Sequence, residues 1–500
     1  MGSHRLVLAL GAALAAVYLA TRIFFAARFP YFVDEGTYGV FVERGANTWK
    51  ELYASLTIGR EPLEIWIAIP FTKWAGLNPL DALRAASILC GLATVPVIWL
   101  LGREVAEDAV GVVAAALYVV LPFFLVHNGI GIMESLVTLV VAAALLVQIK
   151  LARRPDLRLG LLLGIVFAAG ILTKENTKPA LALVPLSLLL FDWSPEGRRE
   201  RLRTWIGAVA IAFAFAIAAN VSMHLSKYWP DLVRARDSPF YTVRDIHSLI
   251  DLPFWSFGRA WHAYRPALTE YVTLPVFAAA IAGAVLLVRR NRNMGALLLI
   301  WVLLPLLISF ALTVLPFPRH VMYLTPPLLV FAGIALVALW RWTAERIGPP
   351  RAAAALAVAG ALALAQAVAL DARVLNDPVA VQYPGLDEWQ YVTGTGGGEP
   401  WPKLEREMLR RAGPGEVDVI TPTTDGNVIH LMLYDQPRFV FVKGTDPRAK
   451  TADFAITDEN PLPDSESLAI LRKGPYKTVG VYQRPHGGKT VKLYERRPRL

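Results

Sequence analysis

From residue 6 to residue 371 the chain alternates long charge-free apolar runs with short polar or basic breaks, and beyond 371 the runs shorten. A spanning helix needs about 20 mostly apolar residues. Runs of that kind lie near 6–27, 82–102, 109–127, 130–149, 159–173, 178–191, 205–225, 271–288, 295–316, 320–340 and 352–371, the fifth and sixth being short, and they predict about eleven transmembrane helices. The stretch 62–76 reads as a spanning, re-entrant or interfacial segment. The first run resembles the apolar core of a signal peptide but continues to about Ala27 with no small-residue cleavage pattern, which predicts a retained anchor helix.

Basic residues fall in alternate breaks: Lys150, Arg153, Arg154 and Arg158; then Arg198, Arg199, Arg201 and Arg203; then Arg289, Arg290 and Arg292; then Arg341, Arg346 and Arg351. The intervening short breaks supply only Lys174 and Arg319. Cytoplasmic loops carry the excess of Lys and Arg, so this bias predicts a cytoplasmic N-terminus, and an odd number of spans puts everything after 371 on the outer face. Two outer loops are long, 28–81 and 226–270. The second holds Lys227, Arg234, Arg236, Arg244, Arg259 and Arg265 with three tryptophans, against the trend. It reads either as a contact for an anionic ligand or as a solvated loop with aromatic interface anchors.

Past Asp371 the pattern predicts a small α/β domain over 372–500. Strands are expected at Val417–Ile420, Phe439–Val442, Phe454–Thr457 and Thr478–Tyr482, helices at Leu404–Arg411 and 464–472, and a turn at 424–426. The Gly394–Gly398 run lacks the strand and helix flanks of a dinucleotide fingerprint and reads as a flexible loop. The expected architecture is therefore a polytopic α-helical membrane protein with a C-terminal extracytoplasmic α/β domain.

Composition agrees. Of 500 residues 55% are apolar and only 18% charged, against about 25% charged in ordinary soluble domains, which excludes disorder and a purely cytosolic enzyme. The single cysteine, Cys90, excludes an intrachain disulfide framework and a cysteine-based zinc site. The net charge of +10 sits in the loops and reports topology, so no nucleic-acid partner is implied.

Candidate chemistry begins at Asp34 and Glu35, in Phe29-Pro-Tyr-Phe-Val-Asp-Glu-Gly-Thr-Tyr38, a few residues past the first span. Charges so close to hydrocarbon are costly and call for a functional hypothesis. A partly desolvated carboxylate there suits proton abstraction from an acceptor hydroxyl or amine, and its neighbour suits a metal, an amine or a cationic side chain. The competing reading is a helix cap in a solvated loop. A divalent cation is permitted by the Asp-Glu pair, but no complete ligand set is visible.

Asp34-Glu35 with Tyr38, then Arg60-Glu61-Pro62-Leu63 with Trp66, then Leu83-Arg84 opening the next helix, resemble the protein O-mannosyltransferase and aminoarabinose transferase superfamily, which are GT-C glycosyltransferases. The order continues with Leu172-Thr-Lys174, with Pro318-Arg319-His320, Tyr323 and Pro326-Pro327, and with Leu386-Asp-Glu-Trp389-Gln-Tyr391-Val-Thr-Gly394, similar to a segment after the last span in bacterial members. The resemblance implies an inverting membrane glycosyltransferase of the bacterial inner membrane and cell envelope. Its donor would be a polyprenyl-phosphate-linked sugar, and its acceptor a glycan, lipid or protein at the outer face.

Carried over, the resemblance puts catalysis on Asp34, the donor phosphate on Lys174, Arg319 and Arg60, and substrate contacts on Glu35, Tyr38, Glu61, Glu134, His320 and Tyr323. Two departures stand out: Arg60 replaces the Glu that precedes a Lys-Pro pair in the aminoarabinose enzymes, and Met133-Glu134 stands where relatives often carry Asp. His127 and Asn128 are candidates for the polar contacts of an Arg missing nearby. Duller readings exist for each position: Lys174 snorkelling to the interface, Arg319 capping a loop, Glu134 complementing a helix dipole, His320 and His127 packed, and Glu61 and Glu64 on a solvated loop face. The alternative function is a transporter or flippase for a lipid-linked or anionic substrate; transporters tend to show paired repeats and broken helices at the midplane, whereas these charges gather at one edge.

Overall fold

The computed structural model describes residues 2–236, 254–421, 426–458 and 465–497. Arg244 and most of the expected 424–426 turn lie outside them. The chain opens with α1 (Gly2–Ala26), α2 (Val33–Asn47), α3 (Leu63–Lys73), α4 (Pro79–Val105), α5 (Asp108–Val120) and α6 (Pro122–Asn128). It continues with α7 (Glu134–Arg153), α8 (Leu157–Ile171), α9 (Lys178–Ala182), α10 (Arg198–His224) and α11 (Trp229–Arg236). The second half of the bundle is α12 (Phe254–Pro266), α13 (Leu274–Arg290), α14 (Arg292–Leu312), α15 (Thr325–Ile347) and α16 (Pro349–Asn376). Side chains of Asn78, Asp156 and Asn291 cap α4, α8 and α14 by accepting from backbone N–H groups of the first turn.

Among the described residues seven helices are long and apolar enough to cross a membrane, or up to nine if each of two bent pairs counts as one span. The expected eleven differ where proline or length intervenes. Pro122 breaks the third run into α5 and α6, bent by 60°, because proline lacks the N–H that would continue the ladder. Run 159–173 is the 15-residue α8, about 22 Å long. Run 178–191, with Pro179 and Pro185, collapses to the five-residue α9 and a 3-10 turn over Val184–Leu190. At 11 residues and about 16 Å, α3 is too short to span.

The two ends of the bundle differ in chemistry. At one end the basic turns meet: Arg153 donates to the Glu104 carbonyl at 2.6 Å, Arg341 pairs with Glu107 at 2.5 Å, and Asn293 donates to the Leu189 carbonyl at 2.8 Å. At the other end lie α2, α3 and the C-terminal domain.

That domain holds α18 (Pro400–Arg411), α19 (Gly426–Met432) and α20 (Ser465–Lys473), after a short α17 (Leu386–Glu388). Its sheet comprises β1 (Val417–Ile420), β2 (Phe439–Val442), β3 (Phe454–Asp458), β4 (Tyr476–Gln483) and β5 (Thr490–Arg496) in the order β2-β1-β3-β5-β4. The first three strands are parallel, and β4 and β5 form an antiparallel hairpin. The last bundle helix runs to Asn376, and Val381, Tyr383, Tyr391 and Val392 join the helical core, so residues up to about 392 pack with the bundle rather than with the sheet. The domain seats on α2 through α19: a Cβ at Gly36 would stand 2.6 Å from Val428 Cγ2, and His430 meets Glu43 at 3.2 Å.

α2 is held at its start by a buried ion pair. Arg84 Nε donates to Glu35 Oε1 at 2.6 Å and Nη2 to Oε2 at 2.8 Å, while Nη1 reaches the Phe29 carbonyl at 2.7 Å. Glu35 also accepts from the N–H groups of Phe32 at 3.0 Å and Gly131 at 2.8 Å. Removing one partner of a buried, fully bonded pair costs about 3–5 kcal/mol. Arg84→Met should therefore lower the thermal midpoint of the purified protein sharply, and adding Glu35→Gln should recover part of the loss; equal midpoints for all three proteins would contradict this anchoring role.

Candidate active site

Four elements converge beside this anchor. α2 presents Asp34 from its first turn, α7 begins with Glu134, the break after α8 carries Lys174, and the 3-10 turn Pro318–Leu324 before α15 carries Arg319. Arg319 Nη2 donates to Asp34 Oδ2 at 2.8 Å, and its Nε lies 3.6 Å from Glu134 Oε1. Lys174 Nζ donates to the same Glu134 oxygen at 2.6 Å. The result is an alternating row, Asp34, Arg319, Glu134, Lys174. Its members are unequal in access: the Asp34 side chain is 29% exposed, those of Arg319 and Glu134 8% and 6%. The reachable atom of the row is thus a carboxylate, backed by a sheltered cation.

Burial pushes the Lys174 ammonium down from its ordinary range, and Glu134 opposes the shift. Burial also pushes the Tyr38 phenol up to about 12, with Arg60 opposing. Tyr38 is therefore a neutral hydroxyl beside the row. Arg60 belongs to the same neighbourhood, its charge acting on both Tyr38 and Lys174.

Other expected site residues go elsewhere. Glu35 is fully buried and all its acceptor capacity facing Arg84, Phe32 and Gly131 is used, so the substrate contact implied for it is corrected to an anchoring one. Adjacent helical residues project about 100° apart, which turns Glu35 inward while Asp34 faces outward. Glu61 is buried, not on a solvated face, and stands 3.9 Å from Arg236, in a second cluster with Glu175 and Lys178. His320 Nδ1 accepts from the Phe317 N–H at 3.4 Å, and its ring stands edge-on to that of Phe317. Tyr323 enters the apolar core, where its ionisable neighbour is Tyr264 rather than the charged row.

His127 and Asn128 are structural: His127 pairs with Asp387 at 3.1 Å, and Asn128 bonds Tyr118 and Ser135. Of the cations in the second long loop, Lys227 pairs with Glu51, Arg234 with Asp231 and Arg236 with Glu175. Among the described residues no group of three or more His, Cys, Asp or Glu side chains is placed to hold a metal ion, and the Asp34-Glu35 pair diverges.

Two residues beside the row were named in the sequence without a site role. Tyr391 accepts from Arg319 Nη1 at 3.3 Å. Glu64, expected on a solvated face, is 1% exposed; Ser87 donates to its Oε1 at 3.2 Å, and Glu134 and Lys174 are near enough to act on it. The available signal was a lone carboxylate in the apolar run Leu63-Glu-Ile-Trp-Ile-Ala-Ile69. Burial first, then Glu134, pushes Glu64 up to about 8. An unfolded chain releases this proton near the usual 4.5 and the folded one near 8, so between those values the folded state binds more protons and stability falls as pH rises. Glu64→Gln should flatten that fall in the thermal midpoint between about pH 5 and 8; a midpoint curve identical to the parent's would contradict a protonated Glu64.

Residues 60–224, roughly a third of the chain, match the family model described as dolichyl-phosphate-mannose-protein mannosyltransferase. No curated protein matches the chain. Among solved structures, ArnT from Cupriavidus metallidurans in the apo state is 15% identical with a TM-score of 0.59, the match covering 99% of this chain and 98% of that one. The same protein bound to undecaprenyl phosphate gives 15% and 0.59, with 97% of each chain covered. The archaeal oligosaccharyltransferase AglB from Archaeoglobus fulgidus, in complex with an inhibitory peptide and a dolichol-phosphate, is 13% identical with a TM-score of 0.54 over 90% of this chain and 69% of that one. The chain thus has the fold of the GT-C glycosyltransferases and carries, across residues 60–224, the sequence pattern of the dolichyl-phosphate-mannose-protein mannosyltransferase family.

Proposed function

We propose that the chain is an inverting membrane glycosyltransferase that moves a sugar from a polyprenyl-phosphate donor to a hydroxyl-bearing glycan, lipid or protein at the outer face. The observation that carries this reading is the Asp34–Arg319 pair, backed by Glu134 and Lys174, at the end of the bundle opposite the basic turns. Under the positive-inside rule that end is external, and the C-terminal domain packed on α2 is then extracytoplasmic.

In the reaction the acceptor oxygen attacks the anomeric carbon, its proton passes to the Asp34 carboxylate, and the bond from that carbon to the phosphate oxygen breaks. The donor phosphate is a diester with one negative charge; as it leaves as a monoester, a second charge develops. Cations held at that position stabilise the transition state more than the ground state, which is what accelerates a reaction. Arg319 and Arg60 suit two-point contacts with phosphate oxygens through their planar forks, and Lys174 suits a point-charge contact. Asp34 and Glu134 hold Arg319 and Lys174 in place beforehand, lowering the cost of ordering them.

A seat for the isoprenoid lies close by. A cavity of about 200 Å³ with almost wholly apolar lining runs between α12, α13, α14 and α15, reaching Val321 and Thr325 just past Arg319 in the chain. An ArnT structure bound to undecaprenyl phosphate, on the same fold, is consistent with such a lipid.

The test uses the purified protein in nanodiscs with undecaprenyl phosphate carrying mannose, glucose, N-acetylglucosamine or arabinose, and cell-envelope extract as acceptor, with free undecaprenyl phosphate measured by mass spectrometry. Asp34→Asn should cut turnover by about 100-fold or more, the scale of a lost general base, while still binding undecaprenyl phosphate. Arg319→Gln should weaken that binding by about tenfold or more, the loss of a charge-assisted contact. Full turnover by Asp34→Asn would sink the reading, and movement of intact donor across the bilayer without bond cleavage would favour a transporter.

A further inference from the structure

The stretch that follows α16 returns to the charged row. α17 is followed by a π-helical turn over Trp389–Thr393, whose Tyr391 is 2% exposed, stands edge-on to Phe32 at 5.0 Å, and accepts from Arg319. Five residues later the Gly396 carbonyl accepts from the Val33 N–H at 3.2 Å. Val33 immediately precedes Asp34. One stretch therefore contacts Arg319 and the residue next to its partner Asp34. It runs against the 30–32 segment that leads into α2 at backbone distance: a Cβ at Gly398 would stand 1.9 Å from the Tyr31 carbonyl oxygen. The glycine run read from the sequence as a flexible loop is here a close-fitting one.

The loop is gripped from its far side by Arg484, at the tip of the β4–β5 hairpin. Arg484 is fully buried; its Nε donates to the Gly397 carbonyl at 2.7 Å and its Nη2 to the Thr395 carbonyl at 2.7 Å. The same Nη2 lies 2.8 Å from Asp458 Oδ2 at the end of β3. The hairpin adds a backbone contact, Lys489 N–H to the Thr393 carbonyl at 2.9 Å. A contact serving only the sheet would need Asp458 alone, yet the two short charge-assisted bonds go to carbonyls on either side of Gly396. Burying an arginine is expensive, and an apolar pair of similar volume often stabilises a fold as well or better; what the guanidinium adds is fixed orientation at several acceptors.

We infer that Arg484, held by Asp458, is a positioning residue for Asp34: through the 395–398 loop the C-terminal domain sets where the Asp34 carboxylate stands relative to Arg319. The inference rests on Asp34 being the proton acceptor. A displacement of about 1 Å at a reacting group costs on the order of 100-fold in rate, so a one-sided loss of grip acts on turnover rather than on donor binding.

The experiment compares Arg484→Lys, which keeps the charge but loses the fork, and Gly398→Ala, which pushes on Tyr31, with Gly413→Ala, where a Cβ meets open space. The substrate is whichever undecaprenyl-phosphate sugar turns over with the parent protein, and each protein is first matched for thermal midpoint and gel-filtration profile. Arg484→Lys and Gly398→Ala should lower kcat by roughly 10- to 100-fold while the Kd for undecaprenyl phosphate stays within about threefold, and Gly413→Ala should behave as the parent. In an Asp34→Asn background the residual turnover should change by less than about twofold on adding either substitution, because the group being positioned is gone. Undiminished kcat in both folded variants, or an equal loss in both backgrounds, would overturn the inference. If one variant fails to fold, the other decides. An Asp34→Asn protein with parental turnover removes the base assignment and this inference together, whereas an inactive Asp34→Asn beside fully active Arg484 and Gly398 variants removes this inference alone.

Discussion

The ion pair between Asp34 and Arg319 joins residues 285 positions apart, and most of the surrounding structure acts to keep it in place. A carboxylate and a guanidinium shielded from water attract strongly, yet each carries a desolvation cost that is recovered only with good geometry and further partners. Those partners come from separate directions. Glu35 and Arg84 fix the turn from which Asp34 projects, Tyr391 contacts the guanidinium from below, and Glu134 ties Arg319 to Lys174. Elements from the first long loop, from the middle and late bundle, and from beyond the last bundle helix must therefore all be assembled before the pair exists.

This explains the odd division of the chain. The composition changes at 371, but the helical core continues to about 392, because residues that look polar enough for a soluble domain, Tyr391 among them, stand at the pair. Asp387 illustrates it: the side chain is buried, bonded by His127 and Tyr271, and so belongs to the bundle. The sheet beyond then sits directly over α2, with Gly36 admitting Val428.

The spans and the strands were legible in the sequence because both follow from local periodicity. Run length alone located α4, α7, α10, α14 and α16, and alternation located β1 and β2 to the residue. Prolines 122, 179 and 185 lay inside runs read as single spans, and whether such a residue yields a bent pair or a collapsed turn depends on packing against neighbours. Asp34, Lys174 and Arg319 stood out as charges at helix ends; that they meet is a tertiary fact. Glu35 misled because adjacency in sequence suggests a shared task, whereas on a helix it separates directions. Glu64 misled for the opposite reason: a charged residue in a short segment reads as solvated unless its buried partner, Ser87, is known, and nothing in the sequence singled out Arg484, whose burial depends on Asp458 and the facing loop.

The charge count at the row has a consequence for the proposed reaction. Arg319 and Lys174 carry the cations that Asp34 and Glu134 face, and Tyr38 is a neutral hydroxyl whose phenol is pushed up to about 12. A phosphodiester bound here would add one negative charge to this paired row. Glu64 would add another if ionised, but burial and the nearby Glu134 raise it to about 8, which favours its protonated form at neutral pH. A protonated Glu64 would then leave the row free of one competing negative charge in the proposed reaction. When the glycosidic bond breaks and the phosphate gains a second charge, the acceptor's proton arrives on Asp34 in the same step, removing a negative charge from the row and freeing Arg319 to turn wholly to the phosphate. In the proposed reaction, pairing Asp34 with Arg319 would thus couple proton transfer to leaving-group stabilisation, which an Asp34 standing apart from Arg319 would not achieve.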